Sequence, residues 1–120
     1  MLPVERVLVL IGTLTLVACQ AGATPEPTAA NATLYRSAGS KQCGEGGVTP
    51  QEVRKELAAI GITPVEVGCG NDGRSYAATC GAPDGRIVVI QVRREQADAA
   101  QAKGFKPLTE LPDAARAACR

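Results

Sequence analysis

The sequence predicts an α+β domain: a small antiparallel sheet of three to four strands with two main helices on one face, stapled by disulfides. Three observations carry that prediction. Residues 48–61 form a fully punctuated helix pattern, residues 65–69 and 86–92 read as strands, and Cys43, Cys69, Cys80 and Cys119 lie in a region with few large side chains. The only aromatics are Tyr35, Tyr76 and Phe105. A core of Val, Ile, Leu and Ala over about 80 residues is marginal on burial alone and commonly needs covalent staples.

A first strand is possible at "ATLYR", residues 32–36. In "VTPQEVRKELAAIG", Thr49 suits the N-cap, Pro50 the first helical position and Glu52 the third place of a capping box. Val48 and Val53 stand at hydrophobic-staple positions. Val53, Leu57 and Ile60 give one buried stripe, and Gly61 is a natural stop. "ITPVEVGC" alternates Val65, Val67 and Cys69 against Glu66 and reads as a strand with one buried face. After the turn residues "NDG", "RSYAATC" reads as a second strand. "APDG" is a turn, and "RIVVIQV", β-branched on both faces, is the most buried strand. Together these suggest an antiparallel meander.

"REQADAAQAKG" is helical by propensity, with Ala97, Ala99 and Ala100 inward, Gly104 as the stop and Phe105 packing back near Ala100. A short last helix is expected from Pro112 to Ala118. Residues 39–120 thus form the α+β domain.

Composition excludes several functions. A formal net charge of +1 with no basic stripe speaks against nucleic acid. The absence of histidine removes the commonest general base and the commonest metal ligand together. Ser37, Ser40 and Ser75 have no histidine to activate them, and Glu45, Glu52, Glu56, Glu66 and Asp84 read as surface, cap or turn residues. The chain is therefore not expected to be an enzyme, and no cofactor or metal is expected.

The N-terminal segment carries a different signal. Val7 to Ala18 is an uncharged, mostly apolar run preceded by Arg6, too short for a span of roughly 20 residues and suited to a signal-peptide core. It ends on Leu16, Val17, Ala18 and Cys19. This ending resembles the lipobox of bacterial lipoproteins. The resemblance implies that Cys19 is diacylglyceryl-modified, that residues 1–18 are removed as a signal peptide, and that the mature chain is membrane-bound by lipid. Two or three acyl chains anchor stably where one does not. Gln20, rather than Asp, after the cysteine implies export to the outer membrane, with the domain on its periplasmic face. Residues 19–38 are then a lipid-anchored linker with the possible first strand. "QAGATPEPTAANA", residues 20–32, is too poor in apolar side chains to order itself.

With Cys19 lipidated, four cysteines remain in an oxidising compartment and allow three connectivities. The meander favours Cys43 with Cys69 and Cys80 with Cys119, because it puts the two members of each pair at the same end of the layer. No CxxC spacing suggests redox work.

Two further features bear on function. "CGNDGRSYAATC" is similar to the central signature of Kazal-type serine protease inhibitors at Cys69, Gly70, Asp72, Gly73, Tyr76 and Cys80. However, the cysteine needed before Cys69 falls on Gly61, and the one needed after Cys80 is missing from the turn there. Arg74, Arg93 and Arg94 form a candidate anion or partner patch, since the "APDG" turn would set Arg74 opposite Arg93. The sequence thus favours a lipid-anchored envelope protein with a disulfide-bonded interaction or structural domain and an unidentified envelope partner. The alternative is a Kazal-like inhibitor.

Overall fold

The structure, a computed structural model, describes residues 30–44 and 46–119. Five strands, β1 (Asn31–Ser37), β2 (Glu66–Asn71), β3 (Arg86–Arg93), β4 (Lys106–Pro107) and β5 (Ala115–Ala117), form one antiparallel sheet in the order β4-β1-β3-β2-β5. Helix α1 (Pro50–Ala58) connects β1 to β2, and a 3₁₀ turn at Arg94–Gln96 leads into α2 (Ala97–Gln101) between β3 and β4. β1 and β2 run parallel with β3 between them, and β3 and β4 run parallel with β1 between them. The first four strands are therefore two interleaved split β-α-β units, the ferredoxin-like arrangement, with β5 added outside β2.

β3 is central because its sequence tolerates burial on both faces. Ile87 to Ile90 and Val92 are all 3 % exposed or less. Val88, Ile90 and Val92 meet Leu34 of β1, Val53 and Leu57 of α1, Ala100 of α2, Ile62 and Phe105 in the main core. Both helices therefore lie on one face, as the sequence predicts. The opposite face holds a smaller cluster of Ile87, Val89 and Leu111, with Tyr35, Leu108 and Ala114 packed against it.

Local signals set the helix ends. The Thr49 Oγ1 accepts from the Glu52 N–H at 3.2 Å, and the Glu52 carboxylate accepts from the Thr49 N–H at 2.7 Å, completing the capping box. These hydrogen bonds hold the Glu52 carboxyl below its ordinary value. Both helices stop on a glycine at positive φ, Gly61 at 80° and Gly104 at 88°. The next residue then donates back to the last turn, Ile62 to Leu57 and Phe105 to Ala100. Each stop drives a large side chain into the core.

Several sequence expectations are corrected here. Among the described residues the sheet has five strands, and β1 (Asn31–Ser37), expected at most as part of the linker, is one of its inner strands. "RSYAATC" is not a strand: β2 pairs directly with β3, and residues 72–85 form the connection. Asp72 explains why, since its carboxylate accepts from the Arg74 N–H at 2.8 Å and from the Tyr76 hydroxyl, closing the chain on itself. Ile60, expected inside, is 36 % exposed because the turn at Gly61 gives the inward place to Ile62, and Val65, also expected inside, lies just ahead of β2 and is 56 % exposed. The last helix, expected from Pro112 to Ala118, gives way to a turn at residues 112–113 and to β5, where pairing with β2 overrides the helical preference of alanine.

The disulfide pairing is also corrected. Cys43 bonds to Cys80 with 4.9 Å between Cα atoms, and Cys69 bonds to Cys119 with 5.2 Å. The 72–85 connection does not carry Cys80 away from Cys43. It returns beside residues 41–43, where Lys41 bridges Pro83 and Gln42 and Ala82 are hydrogen-bonded at 2.8 Å. Cys69 stands opposite Ala117 in the β2–β5 ladder, so Cys119 falls beside it.

Candidate functional site

Two concave surfaces open at the same end of the sheet, where β1 finishes and β3 begins. On the helix face a groove of about 450 Å³ lies between the sheet and the segment leading into α1, lined by Ser40, Gly47, Val48, Thr49, Arg86 and the Cys69–Cys119 disulfide. The strand alternation puts Arg86 on the same face as Val88, Ile90 and Val92. That face turns its apolar residues toward the helices along most of β3 and presents a cation only where α1 no longer covers it.

On the opposite face a pocket of about 150 Å³ is lined by Tyr35, Ser37, Ile87 and Leu111 from the sheet side and by Asp72 and Tyr76 from the 72–85 connection. Asp72 is nearly buried, at 9 % exposure. Its hydrogen bond from Tyr76 pushes the phenol above its ordinary value. Close by, the buried Ser40 hydroxyl donates to Asp84 Oδ1 at 2.9 Å, and the Arg86 N–H donates to the same oxygen at 3.0 Å. Asp84 thus fixes the start of β3 against the end of β1, and Ser40 and Arg86 border both hollows. This arrangement can offer a positive charge, hydroxyls and glycine-rich backbone to oxygen atoms of a bound group. Among the described residues no group of three His, Cys, Asp or Glu side chains is placed to hold a metal ion.

The arginines singled out by sequence do not come together. Arg93 lies opposite Asn31 and Arg94 opens the 3₁₀ turn, whereas Arg74 sits in the 72–85 connection at the other end of the sheet, bordering the smaller pocket. The expected Arg74–Arg93 pair depended on a hairpin that does not form. Cys19 and its lipobox lie outside the described residues. Sequence reasoning missed Arg86 and weighed Ser40 only as a nucleophile. Arg86 follows the "APDG" turn, and only the register of β3 shows that it borders a groove.

The Kazal-like residues have a local explanation. Cys69 and Cys80 go to Cys119 and Cys43, and Asp72 and Tyr76 hold the connection closed. No family model, no curated protein and no solved structure matches the chain. Among the described residues no helix is long and apolar enough to cross a membrane.

Proposed function

We propose that this is a lipid-anchored protein of the bacterial envelope whose domain binds a partner, and that it is not an enzyme. One observation carries the reading: the domain is polar along its strands. The chain enters at Asn31, opposite Arg93, and both hollows lie at the other end, where Ser37 stands opposite Ile87. Seven residues of β1 separate these ends by about 20 Å. A tether joined at one end leaves the groove directed away from the anchoring surface.

The lipobox supplies the anchor, with acylation at Cys19 and Gln20 directing the protein to the periplasmic face of the outer membrane. Two disulfides suit that oxidising compartment. The partner presents carbonyl or carboxylate oxygens to Arg86 and to the backbone around Gly47. Kazal-like inhibition gains no support from the geometry, because no cysteine pair brackets a loop ahead of Cys69.

The test has two parts. Mass spectrometry of the mature N-terminus is expected to find an acylated Cys19, and an unmodified Cys19 or an intact Met1 would sink the anchoring. A photoreactive residue at Val48, on the groove rim, is expected to give a defined adduct in cells that one at the exposed Gln101 does not. Failure of Val48 to capture anything, or stoichiometric inhibition of a trypsin-family protease, would defeat the binding assignment.

A further inference from the structure

The two disulfides sit in unequal surroundings. Both are reached by solvent: Cys43, Cys80 and Cys119 are exposed and Cys69 is half-buried. Each also has a cation at hand, Lys41 two residues before Cys43 and Arg86 in the groove that Cys69 and Cys119 line. Access and nearby charge, which govern thiol reactivity, therefore do not separate them.

Support does. Beside Cys43–Cys80 the backbone is tied without the sulfurs. The Gln42 N–H donates to the Ala82 carbonyl at 2.8 Å, the Gly81 N–H donates to the Gln42 carbonyl at 3.1 Å, Lys41 bridges Pro83, and the Ser40 hydroxyl donates to Asp84. If that bond opened, its two thiols would stay neighbours at high effective concentration and close again. Around Cys119 the ties are fewer. Leu111 is the last buried residue among the described ones, and Ala115–Ala117 and Cys119 are all exposed. β5 meets β2 through three residue pairs, and the ion pair of Arg116 with Glu66 has side chains 44 % and 52 % exposed. Such a pair is screened and adds little. A short edge strand that buries no side chain is marginal unless something else holds it. Cys119, two positions beyond Ala117, supplies that hold through Cys69.

The register shows what β5 covers. The Asp72 N–H donates to the Gly85 carbonyl at 2.9 Å, so residues 72, 70 and 68 turn their backbone groups to β3. Cys69 and Asn71 turn theirs outward, opposite Ala117 and Ala115.

We propose that Cys69–Cys119 is a reversible redox modification site, opened by a dithiol donor ahead of Cys43–Cys80, and that its opening frees β5 from β2 and removes one wall of the groove. A donor thiolate attacks Cys119 Sγ, on the more exposed of the two residues. The Sγ–Sγ bond breaks and its electron pair goes to Cys69 Sγ, which takes a proton. The donor's second thiolate displaces Cys119 from the mixed disulfide, Cys119 Sγ takes a proton, and the donor leaves as its own disulfide. The two protons are those the donor thiols gave up. The site rests neither on acylation of Cys19 nor on any occupant of the groove.

A redox titration of the full-length protein tests it. The protein is equilibrated with reduced and oxidised dithiothreitol at graded ratios, free thiols are alkylated, and tryptic peptides are weighed. Cys69 and Cys119 are expected to reach half-alkylation at a reduced-to-oxidised ratio at least about tenfold lower than Cys43 and Cys80. Cys19 lies on its own tryptic peptide, between Arg6 and Arg36, and is read separately. Between the two midpoints, amides of Cys69, Asn71 and residues 115–117 are expected to exchange several-fold faster, with residues 87–92 unchanged. Opening of Cys43–Cys80 first or at the same ratio would overturn the site. So would an open Cys69–Cys119 with residues 115–117 still protected, or faster exchange throughout β3, which would make the bond a staple of the whole fold. The double variant Cys69→Ser, Cys119→Ser is expected to show the same local exchange with no reductant present while Cys43–Cys80 stays formed. Unchanged protection of residues 115–117 in that variant would overturn the proposal as well.

Discussion

The Arg36 guanidinium lies 4.4 Å from the centroid of the Phe105 ring while its two terminal nitrogens fork the Glu56 carboxylate at 2.9 and 2.6 Å. It also donates to the Lys103 carbonyl at 3.0 Å. One side chain of β1 thereby ties α1 to the turn that closes α2, over the buried aromatic ring.

Replacing this arginine by lysine keeps the charge but removes the planar stack and the two-pronged contact. Arg36→Lys is expected to destabilise the domain by about 1–2 kcal/mol, because the ion pair is partly exposed and screened and the cation–π contact adds only a modest amount. Urea unfolding midpoints, at unchanged m-value, check this.

The same pair sets a pH dependence. Hydrogen bonds from Arg36 hold the Glu56 carboxyl below its ordinary value, and the pair raises the guanidinium further. A carboxyl depressed by folding contributes stability that is complete above its unfolded pKa and is lost as pH falls through its folded one. Glu56→Gln is therefore expected to be less stable than wild type at neutral pH, with the two converging in the acid range. A constant difference down to the lowest pH would contradict the assignment.

Disulfide connectivity is directly readable. Tryptic cleavage after Lys41, Arg54, Lys55, Arg74, Arg86 and Arg116 puts the four cysteines on four separate peptides. A non-reduced digest is expected to join the Cys43 peptide to that of Cys80 and the Cys69 peptide to that of Cys119. In the chain-entropy view, loops with separations of 37 and 50 residues are each worth about 4 kcal/mol, so removing either bond should lower the unfolding midpoint markedly.

β5 lies close on β2 only because position 70 lacks a side chain. A Cβ there would come within 2.5 Å of the Ala115 carbonyl oxygen. Gly70→Val is expected to lift β5 from the sheet at a cost of about 1–3 kcal/mol. Amide protection at residues 115–117 should fall, and Cys69–Cys119 should become easier to reduce while Cys43–Cys80 keeps its wild-type rate.

Sequence was most informative where the determining interactions are local. The capping box at Thr49 and Glu52, the glycine stops at Gly61 and Gly104, and the buried run of β3 depend on neighbours a few residues away. Ile60 misled because a helical stripe does not reveal which residue after a glycine stop turns inward. "RSYAATC" misled because the Asp72–Tyr76 hydrogen bond competes with strand pairing, and residue preference alone does not weigh the two. The final alanine-rich segment misled because its state is chosen by a partner strand far away in sequence.

By itself, then, the sequence determined the fold class, α1 with both of its ends, the central place of β3 and the expectation of an anchor at Cys19. Each rests on short-range hydrogen bonding, periodicity or a contiguous motif. Only the tertiary structure decided the strand order, the disulfide partners and the separation of Arg74 from Arg93 and Arg94. It alone showed Arg86 and Ser40 bordering the hollows at the end opposite the incoming chain. These features arise when segments distant in sequence pair along a sheet, and a shift in which strands become neighbours changes every contact at its ends.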